Sequence, residues 1–213
     1  MCTWKRWEKA LALALLLTLL IAARECRIGM KQQHDLSEKM VRLHVLANSD
    51  SENDQRRKLL VKDAVFVRTE EILRSAENRK DAEHRLQNAL PELESLAEET
   101  LRQDGRAEEV FVTLANERFR TRYYDDFTLP AGQYRSLQVV IGEGNGQNWW
   151  CVVFPPLCSA SADSFSLAAE QADLNEEEMQ LIRAGEKEYL IRFRTVELWN
   201  RFIESLGEMG SGA

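Results

Sequence analysis

Histidine is scarce in this chain: His34, His44 and His84 are the only three among 213 residues. None stands at ligand spacing from another histidine or a cysteine, so no metal site is expected. No G-x-S-x-G is present, which removes the nucleophile-elbow route to hydrolysis. The glycines of GEGNG, at 142 to 146, miss the G-x-G-x-x-G spacing and sit between two strand patterns. No helix follows them to hold a phosphate, so a hairpin turn is expected there rather than a nucleotide cradle. Cys151 and Cys158 are too far apart for a C-x-x-C redox pair. An excess of basic residues is also missing. The chain has 28 Lys and Arg against 35 Asp and Glu, a formal charge of -7. Setting aside residues 1–26 leaves 24 against 33, or -9. Such an acidic chain has no electrostatic footprint for nucleic acid. No repeat is visible, and no catalytic, cofactor or small-molecule site is compelled.

What is there begins at the N-terminus. Lys5, Arg6 and Lys9 precede an apolar run from Ala10 to Ala23, broken only by Thr18 and closed by Arg24 and Glu25. A basic start before such a run is the layout of an export signal, and the run is short of the roughly 20 apolar residues of a comfortable membrane span. Ala22 and Ala23 are small enough for cleavage, whereas Leu20 and Ile21 occupy the place of a second small residue. Residues 1–26 therefore read as a signal peptide or an N-terminal anchor. Arg24 and Glu25 replace the small residues that lipidation of Cys26 would want. With Cys2 and Cys26 in this region, Cys151 and Cys158 are left as a structural disulfide, two free buried thiols being the alternative. Closing that short loop would stabilise the fold by about 2.5 kcal/mol, and the bond survives only in an oxidising compartment.

Residues 27–39 are polar and read as a flexible tether. Val41, Leu43 and Val45 then alternate with Arg42 and His44, the period of a half-buried strand. Asn48 to Ser51 stop it, and Ser49 with Glu52 makes a capping box that starts a helix with Leu59, Leu60, Val61, Ala64, Val65 and Ile72 inward. A second helix is expected from Asp81 to Gln103, kinked or broken at Pro91 and ended by Gly105. Val110–Leu114, Phe119–Tyr124 and Leu137–Ile141 read as strands, with a turn at 128–134 and another at the glycines before Trp149 and Trp150. Residues 159–175 read as a loop, 176–184 as a short helix, Tyr189–Arg194 as a strand and Val196–Leu206 as a last helix. Gly207–Ala213 reads as a flexible tail. The sum is one α+β domain over 40–206, with a mixed or antiparallel sheet packed by helices.

Two constellations carry chemistry. His44 with Asp50 and Ser49 or Ser51 is a possible acid–base cluster, which would make a secreted hydrolase acting on cell wall or peptide; helix capping explains the serines and the aspartate without catalysis. The other is a set of long, unusual motifs: RLHVLANSDSENDQRRKLLVKDAV, then LPAGQY, then VVIGEGNGQNWWCVVFPPLC, in that order from about Val41 to Cys158. Together they resemble the stage II sporulation protein R family of endospore-forming Firmicutes. The resemblance implies a non-enzymatic signalling protein, made in the forespore and secreted into the space between the forespore and mother-cell membranes. There the family triggers a membrane-embedded aspartic protease of the mother cell, which cleaves the pro-sequence from a sigma factor. Membrane contact would be only through the signal or anchor. The residues expected to touch the partner are Asn48, Ser49, Asp50, Ser51 and Asp54 in the strand-to-helix turn, Asn148, Trp149 and Trp150 in a tryptophan hairpin, and Pro155 and Pro156 shaping it.

Overall fold

The computed structural model describes residues 2–124, 127–158 and 165–183. Its elements run α1 (Cys2–Ser37), β1 (Val41–Leu46), α2 (Glu52–Leu73), α3 (Arg79–Gln103), β2 (Val110–Phe119), β3 (Arg122–Tyr123), β4 (Thr128–Leu129), β5 (Gly132–Ile141), β6 (Asn148–Phe154), α4 (Phe165–Gln171) and α5 (Glu176–Arg183). Four strands form a mixed sheet in the order β2-β5-β1-β6, while β3 and β4 make a separate two-stranded ribbon. β1 is parallel to β5 and antiparallel to β6, and β2 is antiparallel to β5. The architecture is α+β with a mixed sheet packed by helices.

β1 is one of the two interior strands, and its two sides serve two cores. Val41, Leu43 and Val45 are fully buried against α2 and α3, a term of about 1.5–3 kcal/mol for each side chain. The helices meet them with matched stripes: Val61, Val65, Thr69 and Leu73 from α2, and Ala82, Leu86, Ala89, Leu93, Ala97 and Leu101 from α3. A second core lies on the other side of the sheet. It gathers Leu36 and Met40 with Phe119, Phe127, Leu129, Tyr134, Val152, Leu157, Phe165 and Ile182.

Several expectations change. Residues 27–37 are not a tether but the end of α1, which drops Leu36 into the second core; residues 38–39 are turn. α2 begins two residues beyond the expected cap: Ser51 is the N-cap, its hydroxyl accepting from Asp54 N–H at 3.2 Å. Its buried stripe runs through Lys58 and Val61, so Leu59 and Leu60 face solvent. Pro91 neither breaks nor ends α3, because it sits on the exposed side, where water can serve the carbonyl that loses its partner. Gly105 does end the helix, at φ 78°, with Arg106 N–H returning to Leu101 O at 3.0 Å. Of the 128–134 turn, only Pro130 and Ala131 lie outside β4 and β5. Part of the expected 159–175 loop is α4.

The largest correction concerns the tryptophan hairpin. β5 and β6 do not pair; β1 lies between them, so the glycine loop crosses over the end of β1. A strand as apolar as β1 needs a neighbour on each edge, and a β5–β6 hairpin would leave one edge open. The expected strand at Tyr189–Arg194, the last helix and the tail lie outside the described residues.

Candidate functional site

At the C-terminal end of β1, the strand-to-helix turn and the glycine loop close into one surface. Asp54 is buried there, 7% exposed, and gathers the turn around its carboxylate. Ser49 Oγ donates to it at 2.6 Å, Asn48 Nδ2 at 3.1 Å and Arg57 Nη1 at 3.3 Å. The Ser49 hydroxyl, above all, holds the carboxyl below its ordinary value against the opposing effect of burial, and Asn48, Ser51 and Arg57 add to it. The glycine loop docks on this turn through its backbone. Asn145 N–H reaches Asn48 O at 3.1 Å, and Gly146 N–H reaches Ala47 O at 2.9 Å. Asn48 Oδ1 accepts from Glu143 N–H at 3.0 Å, and Asp50 Oδ1 from Gln147 N–H at 2.8 Å. Lys58 Nζ, buried below, donates to Gln147 O at 2.9 Å, and burial lowers its pKa despite the nearby Asp50 charge.

Close approach is why the loop is glycine-rich. A Cβ on Gly146 would stand 2.8 Å from Ala47 Cβ and collide with the Ser49 carbonyl. One on Gly142, at φ 56°, would collide with the Asn48 amide. The glycines therefore shape a contact between two backbones instead of a nucleotide cradle.

The structure brings Asn48, Ser49, Asp50, Ser51, Asp54 and Asn148 together at this end. It splits the tryptophans between faces. Trp149 packs on the α2 side, with its ring 6.4 Å from Phe66 and Lys62 Nζ 5.1 Å from its centroid. Trp150 lies on the other face, stacked on His44 at 5.5 Å with the Arg122 guanidinium 3.6 Å from its centroid. Both rings are half-buried, so each joins a core and retains an accessible part. Pro155 and Pro156 do not join them: they follow the far end of β6, where Pro155 is buried. Beyond them the chain returns, and Cys158 forms its disulfide with Cys151 across a Cα–Cα distance of 6.2 Å.

His44 does not meet Asp50, Ser49 or Ser51. Residues alternate across a strand, and position 44 points to the second-core face. There its Nδ1 lies 2.7 Å from Glu117 Oε1. Arg42, two residues earlier on the same face, is fully buried, with its guanidinium 3.9 Å above Phe119 and donating to Tyr124 Oη at 2.9 Å. Burial tends to raise the Glu117 carboxyl, but the His44 contact, the Ser136 hydroxyl and the Arg42 charge together hold it below its ordinary value. Sequence reasoning missed Arg42, Glu117, Ser136 and Arg122. Charges at alternate positions of a half-buried strand point to solvent by default, and only the second core reveals that this face is covered.

These features define a class: a two-core α+β domain with a glycine loop fastened to a strand-to-helix turn at one end of its sheet. The family model for stage II sporulation protein R matches residues 37–164, which contain all four strands of the main sheet and both helices over it. The chain belongs to that family. One curated relative, stage II sporulation protein R of Bacillus subtilis (strain 168), is 33% identical over 138 residues, which cover 65% of this chain and 62% of the relative. The chain thus spans less than two thirds of that relative's length. No solved structure matches.

Proposed function

We propose that this protein is an exported signal of sporulation. It is made in the forespore, passes into the space between the forespore and mother-cell membranes, and activates a membrane-embedded aspartic protease of the mother cell by contact. The protease then removes the pro-sequence of the mother-cell sigma factor. The observation that carries this reading is the family match over 37–164. The fastened turn and loop support it, since a preorganised surface loses little entropy on docking and can favour an active state of its partner. Export is supported by the apolar stretch of α1, whose Leu11, Leu15 and Leu19 are all more than 59% exposed. No helix among the described residues is long and apolar enough to cross a membrane. The Cys151–Cys158 bond suits an oxidising compartment.

Co-expression with the protease and its precursor substrate in a non-sporulating host tests the proposal: the precursor should be shortened only when this chain is present. No processing, with both proteins correctly located, would overturn it. Mass spectrometry of the product separates release, with a chain beginning near Arg24, from retention on an intact N-terminal anchor. The His44–Glu117 contact favours one other reading, acid–base hydrolysis of cell wall or peptide. A folded His44→Ala variant should keep its signalling if contact is the mechanism, whereas a hydrolase would lose its activity.

A further inference from the structure

Each outer edge of the main sheet has one outward N–H capped by a side chain. On β2, the outward N–H of Val112 is taken by the Glu94 carboxylate from α3 at 3.1 Å. On β6, the outward N–H of Val152 is taken by Cys158 Sγ at 3.1 Å. Strand alternation turns the backbone groups of Trp150 and Asn148 the same way as those of Val152. Among the described residues nothing pairs with them. Among the described residues, the N-terminal half of β6 is therefore a sheet edge whose outward donors and acceptors have no partner.

Its surroundings are cationic. Lys62 stands over Trp149 on one face, and Arg122 over Trp150 on the other. Lys62 has Asp63 as an ion-pair partner. Arg122 has no carboxylate among the described residues, and neither has the exposed Arg120 that follows β2. Burial first, then the charges of Arg42 and Arg120, disfavour the Arg122 cation despite the opposing effect of Tyr124. On a chain of formal charge -7, Arg120 and Arg122 thus stand here without an acidic partner among the described residues.

We infer that the Asn148–Trp150 edge of β6 accepts an extended acidic segment of a partner protein, added to the sheet as a strand. Main-chain hydrogen bonds to β6 would supply affinity, and side chains would supply selectivity. Successive side chains of an added strand alternate between faces, so two adjacent acidic residues place one carboxylate beside Lys62 and the next beside Arg122. Both cations already rest on tryptophan faces, which reduces the ordering cost of pairing. This inference draws on the contact reading only in requiring a protein partner.

The test uses the full chain and a blocked peptide of valines and threonines with two adjacent central glutamates. Binding should slow amide exchange at Asn148 and Trp150. Replacing the two glutamates by lysines, or Arg122 by Glu in the protein, should weaken binding about tenfold or more. Methylating alternate peptide nitrogens on the hydrogen-bonding side should abolish it. Equal affinity for the glutamate and lysine peptides would overturn the inference, as would protection confined to the Asn48–Asp54 turn. Trp150 exchange already slow in the free protein, together with a dimer mass, would overturn it too, because a second copy would then hold the edge. A failed peptide titration beside successful precursor processing would remove this edge while leaving the activation reading intact.

Discussion

Replacing Gly146 by alanine tests the central geometric claim about the candidate surface. The added methyl would meet the Ser49 carbonyl group and stand 2.8 Å from Ala47 Cβ. Neither neighbour is the end of a flexible side chain, so relief requires moving backbone that is tied down by Gly146 N–H to Ala47 O and Asn145 N–H to Asn48 O. Overpacking of this kind costs about 3 kcal/mol, at the upper end of the usual range, because two hydrogen bonds weaken as the loop lifts. Gly105 supplies the control. It has open space around its Cβ position and a φ of 78°, so Gly105→Ala should cost only about 1 kcal/mol, from the backbone conformation alone. Urea denaturation of the two variants, with the slope checked for constancy, measures both costs. Equal costs would refute the close approach, and with it the idea that turn and loop form one surface.

Four other outcomes follow from the same geometry. Asp54 has a carboxyl pKa depressed below 3.8, so the stability it contributes is present above that value and lost as pH falls through its folded pKa. Asp54→Asn should accordingly be less stable than wild type at neutral pH, and urea midpoints of the two should converge as pH falls through the folded pKa of Asp54. Glu117→Gln removes the carboxylate charge beside His44 and near the buried Arg42 and should destabilise by about 1 kcal/mol, read by thermal unfolding; an unchanged Tm would show that the carboxylate contributes nothing to this layer. Replacing Cys151 and Cys158 by alanine should lower stability by about 2.5 kcal/mol, and a reducing agent should lower wild type similarly without affecting the variant. A chain starting at Met40 lacks Leu36, which is fully buried, and the Lys39–Glu178 ion pair; it should lose about 3 kcal/mol relative to one starting at Arg27, measured by urea denaturation.

Local patterns made much of the first core legible, because α3 and β1 each announce a buried stripe through their own spacing, whereas the α2 stripe runs through Lys58 and Thr69 and is masked by the exposed Leu59 and Leu60. The alternation at Val41, Leu43 and Val45 and the 3.6-residue recurrence of α3 need no distant partner to be seen. Strand order was not legible. GEGNG between two strand patterns satisfies a hairpin as well as a crossover, and the difference lies in Asn48 and Ala47, nearly a hundred residues earlier. The second core was hidden for a related reason. It is assembled from residues far apart in the chain, Leu36 of α1, Phe119, Tyr134 and Val152 of the sheet, Leu129 of β4, Phe165 of α4 and Ile182 of α5, so no local stretch displays it. Arg42 and His44 therefore read as solvent-facing. The disulfide was accessible from spacing and elimination alone, whereas the separation of Trp149 from Trp150 follows from alternation once position 150 is paired with His44.

β1 links the two cores to the candidate surface within six residues. Its odd positions hold α2 and α3, its even positions carry the Arg42 and His44 layer, and its end runs directly into Ala47 and Asn48, which receive the glycine loop. A change on either face should therefore lower the stability of the strand that feeds the surface, without altering any exposed residue. The effect differs by face. Loss of volume at Leu43 loosens the helices that carry Asp54 and Lys58, whereas loss of Glu117 disturbs the side on which Trp150 stacks. If signalling requires the turn and loop as one unit, Leu43→Ala should weaken it only in proportion to lost stability, because the turn keeps its own hydrogen bonds. Gly146→Ala should weaken signalling beyond its stability cost, since it separates the two halves of the surface itself. Signalling that tracked stability alone in both variants would place the contact elsewhere on the protein.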